Sequence, residues 1–354
     1  MARYVPSSVH FVGSVALSGP RELFRVAGKI LGPRLKRIPD GEPGARIGWV
    51  QFQWPLLRNN GAFVVDRTVD LNQSPVGLGS LCFAPGITPA DIQFGELGYS
   101  REARSSYTDF IAARNAGELP RTTRFQVSLP TPRAVIHAAF SQKDRDSVLP
   151  VYEQAMFKEV GDLCSSIAHE DLCIQWDVCN EMVAWDRGPN WRTGGPLAPF
   201  DIARAKQDIL DSLSRACRAI PPDVELGIHL CYGDLDAKHF FDPVDAGAMV
   251  TLANALLESA GRSVQYIHMP VPISATRDAF FQPFSQLRLS KDSELFLGLV
   301  QAVDGPEGAQ QRIDMASQFV SEFGIATECG IARVRNRDAV VALLNTHAAV
   351  SRAP

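Results

Sequence analysis

Leu226-Gly-Ile-His229-Leu-Cys231-Tyr-Gly-Asp234 begins as a strand and ends as a loop. Side chains i and i+2 of a strand share a face, so His229 and Cys231 project together from its C-terminal end. Imidazole and thiolate are the ligand pair that zinc favours. Two other apolar runs end in the same way. Val264-Gln-Tyr-Ile-His268 stops on a histidine, and Gly324-Ile-Ala-Thr-Glu328-Cys329-Gly330 stops on a cysteine. In a barrel of parallel strands the site lies at the strands' C-terminal ends, which is where these side chains fall.

Outward from that stretch, short buried strands alternate with amphipathic helices along the chain. Strands are expected at 9–14, 35–38, 125–129, 172–177, 224–230, 264–268, 295–300 and 324–327. Helical patterns occupy 20–31, 151–167, 201–219, 243–260, 307–323 and 337–349. Eightfold strand–helix alternation predicts a (β/α)8 TIM barrel, one α/β domain over residues 1–354. The interval 49–120 is too long for a simple connection. It is read as an insertion after strand two, lying over the C-terminal mouth, with a helix near 101–115. A second long loop, 186–196, follows the fourth strand; long loops on this face shape substrate pockets.

The chain has 354 residues and a formal charge of −4, with a pI near 6.0. That balance gives no reason to expect nucleic acid or an anionic membrane as partner. No apolar run reaches the roughly 18 residues of a membrane span, and the N-terminus lacks a secretory pattern. Seven cysteines at irregular spacing read as reduced thiols of a cytoplasmic protein, some of them metal ligands, rather than as a disulfide framework. The expected partner is a small-molecule substrate, and a homodimer is compatible with the sequence.

Polar residues cap strand after strand: Ser14, Asp40 and Glu42, Asp177, His229 and Cys231, His268, and Cys329. Several of these stand in motifs that resemble the catalytic barrel of cobalamin-independent methionine synthase and its relatives. Val12-Gly-Ser14 is similar to the family's Ile-Gly-Ser turn at the amino-acid carboxylate. Asp40-Gly-Glu42 resembles the His-Gly-Glu turn, whose Glu contacts the homocysteine amino group. Gln175-Trp-Asp177 resembles the Gln-Ile-Asp whose Asp holds the same ammonium. His229-Leu-Cys231-Tyr matches the His-Met-Cys-Tyr zinc motif, and Cys329-Gly330 the Cys-Gly that closes the zinc site. The resemblance implies a zinc cofactor, substrate contacts at Ser14, Asp40, Glu42 and Asp177, and catalytic roles for Glu42 and Asp177. It also shows departures. The family's third zinc ligand, a Glu, is replaced by His268. The catalytic His after strand seven falls in Gln301-Ala-Val303-Asp304, where Asp304 is the available acid. Glu-Pro-Ala after the motif Asp becomes Val178-Cys179-Asn180, and the folate-binding N-terminal half of the plant and bacterial enzymes has no counterpart.

Each residue has a plainer reading beside the functional one. His229 and Cys231 could be a buried core pair, since cysteine is often a small hydrophobe. His268 could be a fourth ligand or a substrate contact. Asp177 could be a salt-bridged core acid, Ser14 a helix cap, and Asp304 an ordinary turn residue. Asp234 and His239, just past the zinc motif, could support the metal or lie on the surface. Trp54, Trp185 and Trp191 could stack on a substrate or pack internally; Cys82, Cys164, Cys173 and Cys217 read as core or surface thiols.

Zinc lowers the pKa of a bound thiol so that the nucleophilic thiolate predominates at neutral pH. This predicts methyl or alkyl transfer to a zinc-bound thiolate of a small thiol or amino-acid-like substrate. Exchanging Glu for a neutral His takes the four-ligand site from −1 to 0. That favours Lewis-acid chemistry on oxygen and keeps open a zinc lyase or hydrolase cleaving a C–S, C–C or C–O bond.

Overall fold

The computed structural model describes residues 3–68, 80–188, 202–233, 238–333 and 336–354. Nine strands occur among them: β1 (Arg37–Pro39), β2 (Phe63–Val65), β3 (Leu81–Phe83), β4 (Arg124–Pro130), β5 (Leu172–Val178), β6 (Glu225–Leu230), β7 (Tyr266–Pro270), β8 (Glu294–Val300) and β9 (Gly324–Thr327). Seven form one sheet in the order β1-β4-β5-β6-β7-β8-β9, each neighbour parallel to the next. Every residue of β5 is buried, as expected of a parallel strand covered on both faces.

Helices alternate with these strands: α1 (Pro20–Leu31), α2 (Trp54–Arg58), α3 (Tyr99–Asn115), α4 (Pro132–Ala139), α5 (Gln142–Ser166), α6 (Asn180–Arg187), α7 (Ile202–Arg218), α8 (Gly247–Ser259), α9 (Asp278–Phe281), α10 (Gly305–Ala316) and α11 (Arg337–Ala349). The sequence of α1 shows why such a segment is helical. Pro20 opens it, Glu22 sits in the first turn and Lys29 in the last, each suited to its end of the helix dipole; Leu23, Phe24, Ala27 and Leu31 form the buried stripe. None of the helices among the described residues is long and apolar enough to cross a membrane.

The sheet curls, because side chains from distant strands meet across its inner face. Arg37 on the edge strand β1 donates to Glu225 of β6 at 2.5 Å and to Glu294 of β8 at 2.9 Å. Its guanidinium also lies over the Tyr266 ring of β7, 4.7 Å from the centroid. This ionic cluster gathers the starts of the strands. The opposite end is left for polar residues of another kind.

The expected first strand, 9–14, is not a strand. Val9 makes one parallel bridge to Ile325, and its N–H donates to Arg34 O at 3.0 Å. Further along, the carbonyls are taken by side chains from the sheet interior. Gln126 donates to Phe11 O at 2.8 Å, and Gln175 and Ser128 donate to Val12 O at 2.6 and 2.8 Å. Beyond the bonds that Ser8 and His10 make with Ile325, these carbonyls turn to side chains rather than to a neighbouring strand, and the ladder stops. Among the described residues the expected (β/α)8 barrel is thus a curled parallel sheet of seven strands, and neither the eighth strand nor an insertion over a closed barrel mouth is seen.

Within 49–120 the predicted helix is α3, and the weak strand signals conceal the small antiparallel pair β2–β3. The helix expected at 151–167 starts nine residues earlier, at Gln142, and runs through Pro150. Cys82, Cys164, Cys173 and Cys217 are all buried and unbridged.

Candidate metal centre and acidic pocket

The register of β5, β6 and β7 sets Asp177 beside His229 and His229 beside His268. Cys231 follows the end of β6, and Cys329 follows β9. His229 Nε2, Cys231 Sγ and Cys329 Sγ all lie within 4.8 Å of one another. The two sulfurs are 3.9 Å apart, and Cys329 Sγ is 3.8 Å from His229 Nε2. A tetrahedral zinc with Zn–S bonds of about 2.3 Å separates its ligand atoms by about 3.8 Å. Donor types and spacing both fit that ion.

His268 is not brought into this group. Its Nδ1 meets His229 Nδ1 at 2.7 Å, and its Nε2 meets the carbonyl of Thr327 at 2.9 Å. A carbonyl only accepts, so His268 Nε2 carries a hydrogen and donates it. Burial pushes the His268 pKa down to about 3, so the ring is neutral and its Nδ1 is an acceptor. His229 must then donate from Nδ1, which leaves its Nε2 lone pair facing the two sulfurs. Gly298 of β8 makes room for this relay: a Cβ there would stand 2.6 Å from Thr327 O and 2.8 Å from His268 Nε2.

Around the sulfurs, Gly233 N–H donates to Cys231 Sγ at 3.3 Å. The Cys231 thiol is held well above the usual thiol range, first by its hydrogen bond with Cys179. Ser14 lies against the Cys329 loop. Its carbonyl accepts from Ala332 N–H at 3.0 Å, and its Oγ lies 2.0 Å from where a Cβ on Gly330 would stand. A side chain after Cys329 would force the Ser14 hydroxyl to turn away.

The second half of the site is an acidic pocket. Gly41 and Glu42 have φ of 81° and 51°, a left-handed turn that strains a residue with a side chain. Asp40 holds the turn, accepting from Glu42 N–H at 2.9 Å and pairing with Arg46 at 2.6 Å. Glu42, Arg46, Trp49, Phe52, Tyr99 and Ser128 line the resulting cavity. Gly13 lies opposite, where a Cβ would come within 2.8 Å of Glu42 Oε1. Burial raises the Glu42 pKa well above the carboxylate range, and the Asp177 and Asp40 carboxylates add to the rise against Arg46. Burial likewise pushes Asp177 up to about 7, opposed by its hydrogen bond from Gln175, which is 2.8 Å long. Asp177 is buried and Glu42 partly so, and a cation placed between two such carboxyls favours the ionised form of both.

The remaining expected residues lie elsewhere. Asp304, the available acid after strand seven, is held in a twofold pair with Arg312, at 2.7 and 2.9 Å. The Trp185 indole donates to Thr251 at 3.1 Å and lies under Lys206, between α6, α7 and α8. Trp54 is in the core, and His239 pairs with Asp242. Asp234, Trp191 and most of the loop 186–196 fall outside the described residues. Sequence reading missed Arg46, Trp49, Phe52 and Tyr99, which reach the pocket only through the path of the chain between β1 and β4.

No protein-family model matches the chain, and no curated protein matches it. Solved structures do. A B12-independent methionine synthase from Shewanella sp. W3-18-1, in complex with selenomethionine, superposes with a TM-score of 0.60 at 13% identity, covering 98% of this chain and 97% of that one. A putative vitamin-B12-independent methionine synthase from Listeria monocytogenes gives 0.54 at 12% identity, covering 98% of each chain. At such identities the likeness is one of fold.

Proposed function

We propose that this protein is a zinc-dependent transferase that moves a methyl or alkyl group to the sulfur of a small, amino-acid-like thiol. The observation that carries the reading is the pairing of Asp177 with His229 on adjacent strands. It sets a His-Cys-Cys group beside the carboxyls of Asp177 and Glu42. The fold shared with two methionine-synthase structures supports the same reading.

His229, Cys231 and Cys329 would hold the zinc. When bound, zinc supplies the charge that keeps a substrate thiol deprotonated at neutral pH. The chain's own residues do the rest. Glu42 and Asp177 take the substrate's ammonium, whose charge lets both ionise, and Asp40 and Arg46 keep Glu42 in its strained turn. His268 fixes the tautomer of His229. Trp49, Phe52 and Tyr99 exclude water from the pocket. In the transfer the new S–C bond forms as the donor–carbon bond breaks, its electron pair staying on the donor.

The test is elemental analysis followed by thiol titration. The wild-type protein should hold about one zinc per chain, lost in Cys231→Ser and in Cys329→Ser. Homocysteine should bind the zinc-loaded protein, and Asp177→Asn should weaken it by about 2–4 kcal/mol without removing the metal. Full zinc occupancy in both cysteine variants would overturn the metal assignment, and unchanged homocysteine affinity in Asp177→Asn would disconnect the acids from the substrate.

A further inference from the structure

Zinc takes four ligands, and the group at the strand ends supplies three. His268 is spent on His229 and Thr327. Beside the group stands a third thiol that the reading above does not use. β5 and β6 pair Asp177 with His229 and Val178 with Leu230, and Cys231 N–H continues the ladder by donating to Val178 O at 3.0 Å. One step further, the same register sets Cys179 beside Cys231. Cys179 is 2% exposed, so no bulk water competes for its sulfur. It stands outside the three-residue group and adjoins it through the backbone position next to Cys231.

We propose that Cys179 is the fourth zinc ligand of the resting protein, making the set His229, Cys231, Cys329 and Cys179. The proposal rests on the zinc reading and deepens it. A soft thiolate suits the ion as well as the two already present. With three thiolates and one neutral imidazole around Zn2+ the site would carry −1. The shell is then closed until substrate arrives. An incoming thiol would take the place of Cys179, and its proton would pass to the freed cysteine, so thiol binding would release no net proton to solvent. Were the fourth position open, each thiol bound would release about one.

X-ray absorption at the zinc edge of the unmodified protein counts the ligands directly. Three sulfurs at about 2.3 Å and one nitrogen are expected, against two sulfurs if the proposal is wrong. In the cobalt-substituted protein, sulfur-to-metal charge-transfer absorption should fall by about one third in Cys179→Ser and in Cys179→Ala. Proton release on homocysteine binding should rise from about zero to about one per chain in both. Two sulfurs at the wild-type edge, or identical cobalt spectra in wild type and both variants, would overturn the role of Cys179 while leaving the three-ligand site intact. A wild-type protein that takes up neither metal would instead overturn the zinc reading itself.

Discussion

Replacing His268 tests whether it acts through His229 or on the metal. In His268→Leu, His229 Nδ1 loses its 2.7 Å partner and Thr327 O its 2.9 Å donor. The groups are buried, so each orphaned atom costs about 1–3 kcal/mol of folding stability. The imidazole of His229 is then free to change tautomer or rotate. Loss of such an outer partner lowers metal affinity about 10–100-fold, or roughly 1.4–2.7 kcal/mol. His268→Gln is the informative control. A glutamine amide can accept from His229 through its oxygen and donate to Thr327 through its nitrogen, as the neutral imidazole does. Chelator competition with a zinc indicator should show a large loss of affinity in His268→Leu and recovery to within several-fold of wild type in His268→Gln. Because the His268 pKa is pushed down to about 3, the relay should persist unchanged between about pH 5 and 8. Equal, large losses in both variants would show that the imidazole itself is needed as a ligand and would refute the relay.

Asp177 links folding to pH. Its folded pKa is raised from 3.8 to about 7, so between those values the folded protein holds a proton that the unfolded chain has lost. The contribution of Asp177 to stability is therefore most favourable below about pH 4 and declines as pH rises to 7, by as much as about 4 kcal/mol. In denaturant titrations of substrate-free protein the stability of wild type relative to Asp177→Asn should fall by that course; parallel pH profiles would count against it. Gly298→Ala would drive a methyl against Thr327 O and His268 Nε2, costing about 1–3 kcal/mol of stability and lowering zinc affinity through the relay. A Gly298→Ala protein with wild-type melting and zinc titrations would contradict the packing argument. Asp304→Asn should cost about 1–3 kcal/mol by leaving buried Arg312 short of its charged acceptor and leave zinc and homocysteine binding unchanged, whereas lost thiol binding would return Asp304 to the site.

The meeting of His229, Cys231 and Cys329 was legible in the chain itself. Period-two geometry projects His229 and Cys231 together, and a second apolar run ends on Cys329, so local rules and the end-of-strand principle sufficed. The strand count was nearly legible too, since a buried parallel strand writes itself as a short apolar run. What local pattern does not encode is which partner each polar atom takes. Residues 9–14 read as a strand, but interior glutamines and Ser128 on neighbouring strands claim the Phe11 and Val12 carbonyls. His268 reads as a ligand by position, yet the ring's two nitrogens go to His229 and Thr327 because Gly298, on another strand, leaves the space. Asp304 is tied to Arg312, two turns along α10. The pocket walls Trp49, Phe52 and Tyr99 arrive from the 49–120 interval, whose weak strand signals conceal the small β2–β3 pair. Hydrophobic periodicity is a property of the chain, whereas hydrogen-bond partnership and close approach are decided between elements far apart in sequence, and only the folded arrangement settles them.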